Sequence, residues 1–116
     1  MPITAIELIE RHKESASPCD VDEAVRRIKS ESDLVVIDVR ETSEYENASI
    51  SAAVNIPRGF LEFKIAETCP DANQPILIHC RTGGRAVLAA KTLSEMGYSN
   101  VGIVAGTIED LIAALE

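Results

Sequence analysis

The sequence predicts an α/β fold with a mainly parallel central sheet and helices on both of its faces. Two observations carry this. Apolar runs rich in β-branched residues, at 34–37 and 76–78, lack the polar alternation of a half-exposed strand and read as strands covered on both sides. Between such runs lie segments with apolar residues at helical spacing, so strand and helix alternate along the chain as crossover connections require.

The elements follow in order. Residues 3–14 carry Ile6, Leu8 and Ile9 near helical spacing, with Thr4 and Glu7 set as a capping box. "SASPC" ends this helix, because Ser and Pro favour turns. Residues 19–32 form a second helix with Asp20 as N-cap and Val21, Ala24, Val25 and Ile28 as its apolar face. "DLVVIDVR" is a strand, "ETSEYENAS" a turn or single helical turn, and "AAVNIP" a short strand stopped by Pro57. Residues 58–69 are helical, 70–75 a loop, and 75–80, "PILIHC", a buried strand. "GGRAVLAAKTLSEMG" is a helix closed by Gly97, "NVGIVAG" the last strand, and "TIEDLIAALE" the last helix. The expectation is one domain over 1–116, with an N-terminal helical segment at 1–32 and the core at 33–116.

Composition narrows the functional classes. Of the 116 residues 46% are hydrophobic, and with two Phe, two Tyr and no Trp the core must be aliphatic. A formal net charge of -8 disfavours nucleic acid and anionic membrane as partners. No apolar run approaches the roughly 20 residues that span a bilayer. The N-terminus shows no basic start followed by an apolar stretch, so the expected location is cytoplasmic. Three scattered cysteines, Cys19, Cys69 and Cys80, predict no disulfide framework, and with two histidines they offer no metal-ligand spacing. No cofactor is implied, and the oligomeric state is left open.

The informative stretch is "IHCRTGGRA", residues 78–86. Cys80 ends a buried strand, and ligands of such sheets bind beyond the carboxyl ends of strands. Gly83 and Gly84 permit a tight loop whose N–H groups point inward, and the following helix adds the partial positive charge of its N-terminus. Arg81 and Arg85 add full charges. Such a field stabilises a thiolate and suits an anionic substrate. Cys80 is thus the candidate nucleophile, against the alternative of a buried structural thiol.

The chain resembles the single-domain rhodaneses, the thiosulfate sulfurtransferase family. The resemblance rests on "VVIDVRETSEY" (35–45), "AVNIP" (53–57), "ILIHCRTGGRA" (76–86) and "LSEMGYSNVGIVAG" (93–106), in the family's order. It implies a rhodanese-like domain and a sulfurtransferase. Cys80 would take the outer sulfur of thiosulfate or a related donor as a persulfide. A thiophilic acceptor, a small thiol or a protein, would then remove it. The loop residues Arg81, Thr82, Gly83, Gly84 and Arg85 would bind the substrate, the arginines holding a sulfonate or bracing the loop. Thr82 would bond the sulfur or cap the helix, and Arg58 is a further candidate contact. Asp38 and Arg40 would be structural ion-pair or loop-bracing residues and not catalysts, His79 reads as a packed strand residue, and Glu41, Glu44 and Glu46 as solvated surface. A sulfur carrier that docks on protein partners is the alternative.

A phosphatase or arsenate reductase is disfavoured, because only four residues separate Cys80 from Arg85 and the cysteine phosphatases have five. The chain also departs from the family pattern. Ser49 stands where many relatives have His. Ala105 replaces the first glycine of the C-terminal motif and Leu111 stands at its aromatic position, predicting a pocket that is more open or shaped for another partner.

Overall fold

The computed structural model of the protein describes residues 1–115. Glu116, the end of the expected last helix, lies outside them. The chain begins with α1 (Ala5–His12), capped as expected: Thr4 Oγ1 accepts from Glu7 N at 3.1 Å and Thr4 N donates back to the Glu7 carboxylate at 3.2 Å. In "SASPC" the structure departs from a simple turn. After a 3-10 turn at 14–16, Pro18–Cys19 form β1, which pairs in parallel with Ile103 and Val104. A proline is tolerated there because the strand lies at the sheet edge.

There follow α2 (Val21–Ser30), β2 (Val35–Asp38), α3 (Thr42–Asn47), β3 (Ala53–Asn55), α4 (Leu61–Thr68), β4 (Ile76–His79), α5 (Gly84–Glu95), β5 (Val101–Val104) and α6 (Ile108–Leu115). Asp20 caps α2 through a 2.8 Å bond from Glu23 N. The segment read as a turn or helical turn at 41–49 is the six-residue helix α3. The helix expected from residue 58 opens with a 3-10 turn over Arg58–Phe60 before α4 begins.

All strand pairs are parallel, in the order β1-β5-β4-β2-β3. The core forms on both faces, as the unbroken apolar runs predicted. On one face Ile37, Val39, Ile76, Ile78 and Ile103 meet Leu61 and Ile65 of α4 and Val87, Ala90 and Leu93 of α5. On the other, Val36, Leu77 and Val104 meet Ala24 of α2 and Leu111 of α6. From β2 the chain moves outward to β3, and from β4 it moves the opposite way to β5. The switch point therefore lies between the carboxyl ends of β2 and β4, where α/β sheets leave a crevice. Val39, Arg40, Cys80 and Arg81 follow those two ends.

His79 closes β4 beside Asp38, its register partner on β2. It is 1% exposed, and neither ring nitrogen has a hydrogen-bond partner among the described residues. Alternation along β4 turns it to the Leu77 side of the sheet, opposite Ile78 and Cys80. Burial lowers its pKa from the ordinary 6.5; Asp38 pulls it back up and Arg40 reinforces the lowering. The unfolded chain therefore takes up this proton before the folded chain does. Stability from this group is whole above about pH 6.5 and is lost as pH falls below it. The melting temperature should drop between pH 7 and pH 5, and His79→Phe should flatten that drop. An equally steep profile in the variant would exclude His79 as its source.

Candidate active site

The site is built on a buried ion pair. Arg40 and Asp38 side chains are 5% and 0% exposed, as the paired reading of these residues anticipated. Arg40 Nη2 donates to Asp38 Oδ2 at 2.7 Å, and Nε lies 3.1 Å from both carboxylate oxygens. Arg40 Nη2 also donates to the carbonyl of Ala48 at 2.7 Å and Nη1 to that of Glu44 at 3.4 Å. Asn55 Nδ2 donates to the carbonyls of Asp38 and Arg40, both at 3.0 Å. The end of β2, α3 and the end of β3 are thus tied together.

Beside this frame, Cys80 leaves β4 into a loop whose shape depends on Gly83. Gly83 has φ 111°, a left-handed conformation that costs an L-residue roughly 1–2 kcal/mol. In that conformation its N–H donates to Cys80 Sγ at 3.1 Å. The first intrahelical bond of α5 is Val87 N to Gly83 O, 3.0 Å. The N–H groups of residues 84–86 therefore belong to the first turn, which has no intrahelical acceptors. Cys80 is 2% exposed. The two other free cysteines stand apart: Cys19 packs on the α2 and α6 face of the sheet and Cys69 is buried after α4. Burial raises the pKa of both thiols.

The loop's charged residues diverge. Arg85 Nη1 donates to Glu44 Oε1 at 2.7 Å and Nη2 to Oε2 at 3.1 Å. The hydrogen bond from Arg85 holds the Glu44 carboxyl down to about 2, against the opposing effect of burial. Glu44 is therefore a clamp on the loop and not the solvated surface residue its sequence suggested. Nothing in its local pattern set it apart from Glu41 and Glu46, because the pair spans 41 residues. Arg81 is exposed and in no ion pair among the described residues. It lines a hollow of ≈ 230 Å³ with Arg40, Glu44, Asn47, Ile108 and Glu109. Thr82 is exposed, and its hydroxyl bonds neither the sulfur nor the helix, whose N-cap is Gly83. With Gly83 and Gly84 it borders a larger groove of ≈ 460 Å³ on the other flank of the loop.

Two expected features lie elsewhere. The Arg58 guanidinium donates to Glu62 Oε1 at 2.9 Å and Thr92 Oγ1 at 2.8 Å, and it lines neither hollow. Leu111, on the inner face of α6, is fully buried in the core and lines neither hollow. The wall of the larger groove is instead Ala105, Gly106 and Thr107.

With this geometry in view, similarity to known proteins is specific. The sequence model of the rhodanese-like domain matches residues 20–114. The chain belongs to the rhodanese family. It is 36% identical to the thiosulfate sulfurtransferase PspE of Escherichia coli, over 65% of this chain and 71% of that one. It is 33% identical to the thiosulfate:glutathione sulfurtransferase of Saccharomyces cerevisiae, over 78% and 75%. A Bacillus subtilis protein named as a candidate sulfur carrier is 37% identical over 66% of this chain, but only 40% of its own length. Among solved structures, a Rhodopseudomonas palustris protein of unknown function, called a possible tyrosine phosphatase, superposes with a TM-score of 0.82 at 28% identity. That match covers 98% of this chain and 96% of that one.

The bidentate Glu44–Arg85 pair should be measurable. A double-mutant cycle of Glu44→Gln and Arg85→Gln, followed by urea unfolding, should give a coupling of about 0.5–1 kcal/mol at pH 7 that shrinks in 1 M salt. A coupling near zero would leave the clamp without energetic weight.

Proposed function

We propose that this rhodanese-family protein is a sulfurtransferase that carries sulfane sulfur as a persulfide on Cys80. The observation that carries the reading is the Gly83 N–H held 3.1 Å from Cys80 Sγ, in a loop with four residues between Cys80 and Arg85. A backbone donor aimed at sulfur stabilises a thiolate, both as attacking nucleophile and as leaving group. The Cys80 thiolate attacks the outer sulfur of thiosulfate, the S–S bond of the donor breaks, and sulfite leaves with the electron pair. Cyanide or another thiophile then attacks the outer sulfur of the persulfide, and the Cys80 thiolate is regenerated. The donor is a small anion, with thiosulfate as the test substrate. The named activities of the Escherichia coli and yeast relatives support the reaction class. Three free thiols fit a reducing, cytoplasmic setting.

The two arginines take different parts. Arg85 is occupied by Glu44 and braces the loop, whereas Arg81 stands unpaired at the mouth and meets the sulfonate of the donor. The similarity to a candidate carrier favours a second reading, in which sulfur arrives from another protein's persulfide. The similarity to a possible tyrosine phosphatase is outweighed by the short loop, which suits a single sulfur atom.

Intact mass after incubation with thiosulfate should show one added sulfur that cyanide removes, and Cys80→Ser should gain none. Sulfur gained by the serine variant would reject the assignment. No gain by the wild type, with gain from a persulfide donor, would select the carrier. Arg81→Ala should raise the KM for thiosulfate about fivefold to tenfold, as loss of one charged contact predicts. An unchanged KM would remove Arg81 from donor binding.

A further inference from the structure

α4 turns one face to the core and leaves the opposite face uncovered. Leu61, Ile65 and Cys69, at successive helical repeats, are fully buried. On the other side stand Phe60, 55% exposed, and Phe63, 83% exposed. These are the only two phenylalanines of the chain. A single exposed apolar residue is ordinary on a protein surface. Here the aliphatic core holds neither aromatic ring, and both share one helix face. Phe60 leads into α4 in a right-handed helical conformation (φ -109°, ψ -5°), so the face runs on through it. Beside the two rings, Lys64 and Glu67 are exposed and in no ion pair among the described residues. None of the four lines either hollow beside the Cys80 loop.

The four residues form two adjacent rows along the helix, each with spacing i, i+4. One row is Phe60 and Lys64, the other Phe63 and Glu67. Both rows read aromatic then charged, and the two charges are opposite. The face is therefore complementary to itself. A two-fold axis running between the rows lays the Phe60–Lys64 row of one copy on the Phe63–Glu67 row of the other. Phe60 then meets Phe63, Lys64 meets Glu67, and each contact occurs twice. Two charges of one sign would repel under the same operation. A face that contacts itself through a two-fold axis is the isologous arrangement of the commonest homodimers. Packing of i, i+4 ridges on one another is also the commonest helix crossing, at about -50°. We propose that α4 is the contact face of a homodimer, with Phe60 and Phe63 stacked about the two-fold axis and Lys64 paired with Glu67 of the second copy. This assembly goes beyond sulfur transfer and does not depend on it.

The test is sedimentation velocity of the full chain in low salt, from micromolar to millimolar concentration. The wild type should show a monomer–dimer equilibrium, and Phe63→Ser should weaken it at least about tenfold. Lys64→Glu and Glu67→Lys should each weaken self-association about tenfold, because like charges then meet at two places in the dimer. An equimolar mixture of these two variants should associate to within about twofold of the wild type, since every charge again faces its opposite across the axis. An effect confined to one chain produces no such recovery. All three positions are exposed, so the fold of the monomer is kept. A wild type that stays monomeric throughout overturns the dimer and leaves the aromatic face to a different protein. A dimer that survives Phe63→Ser, or that mixing the charge variants does not restore, overturns this face as its contact.

Discussion

The buried pair of Asp38 and Arg40 holds the carboxyl end of the sheet in its working shape. One guanidinium binds the Asp38 carboxylate at the end of β2 and reaches two backbone carbonyls, at Glu44 and Ala48. The helix that follows β2 is thereby folded back over the strand ends. Glu44 is carried on that helix, and its carboxylate reaches across to Arg85 in the loop after β4. A chain of charges thus runs from the sheet to the first turn of α5. Removing either member of the buried pair leaves an uncompensated charge, at a cost of about 3–5 kcal/mol. The loop would then lose its outer support as well.

The loop itself is economical. Five residues after Cys80 supply a backbone donor to sulfur, a left-handed turn, a helix start and two arginines. The two arginines are not equivalent, although the sequence presents them symmetrically around Thr82–Gly84. One is immobilised by a carboxylate that local sequence does not reveal, and the other is free at the surface. The hollows on the two flanks differ in the same sense: the smaller is bordered by Arg40, Glu44 and Arg81, the larger is floored by Val87 and Ile103.

The N-terminal helical segment expected at 1–32 contributes to the sheet and to both faces of the core. β1 extends the sheet beyond β5, α2 supplies Ala24 to one face of the core, and Ile9 of α1 packs on the other. Sequence pattern marked the break at "SASPC" because Ser and Pro interrupt a helix. It did not mark the strand, since two residues carry no periodicity. Leu111 is a similar case. Its apolar character was plain, but whether it faced pocket or core depended on how α6 docks.

Sequence by itself determined the fold class, the order and type of nearly all elements, the capping of α1 and α2, and the candidate sulfur at the end of β4. Those features are local: strand burial shows in unbroken apolar runs, helix starts in side chains three residues apart, and the tight loop in adjacent glycines. Tertiary structure alone decided that Arg85 is clamped by Glu44, that Arg58 turns to Glu62 and Thr92, that His79 is buried without a partner, and that α1 walls a groove beside Gly83. Each of these joins or isolates groups by the packing of elements far apart in the chain. Composition and spacing carry no record of such distances, because a charge reads the same in sequence whether its partner is water or a residue 41 positions away.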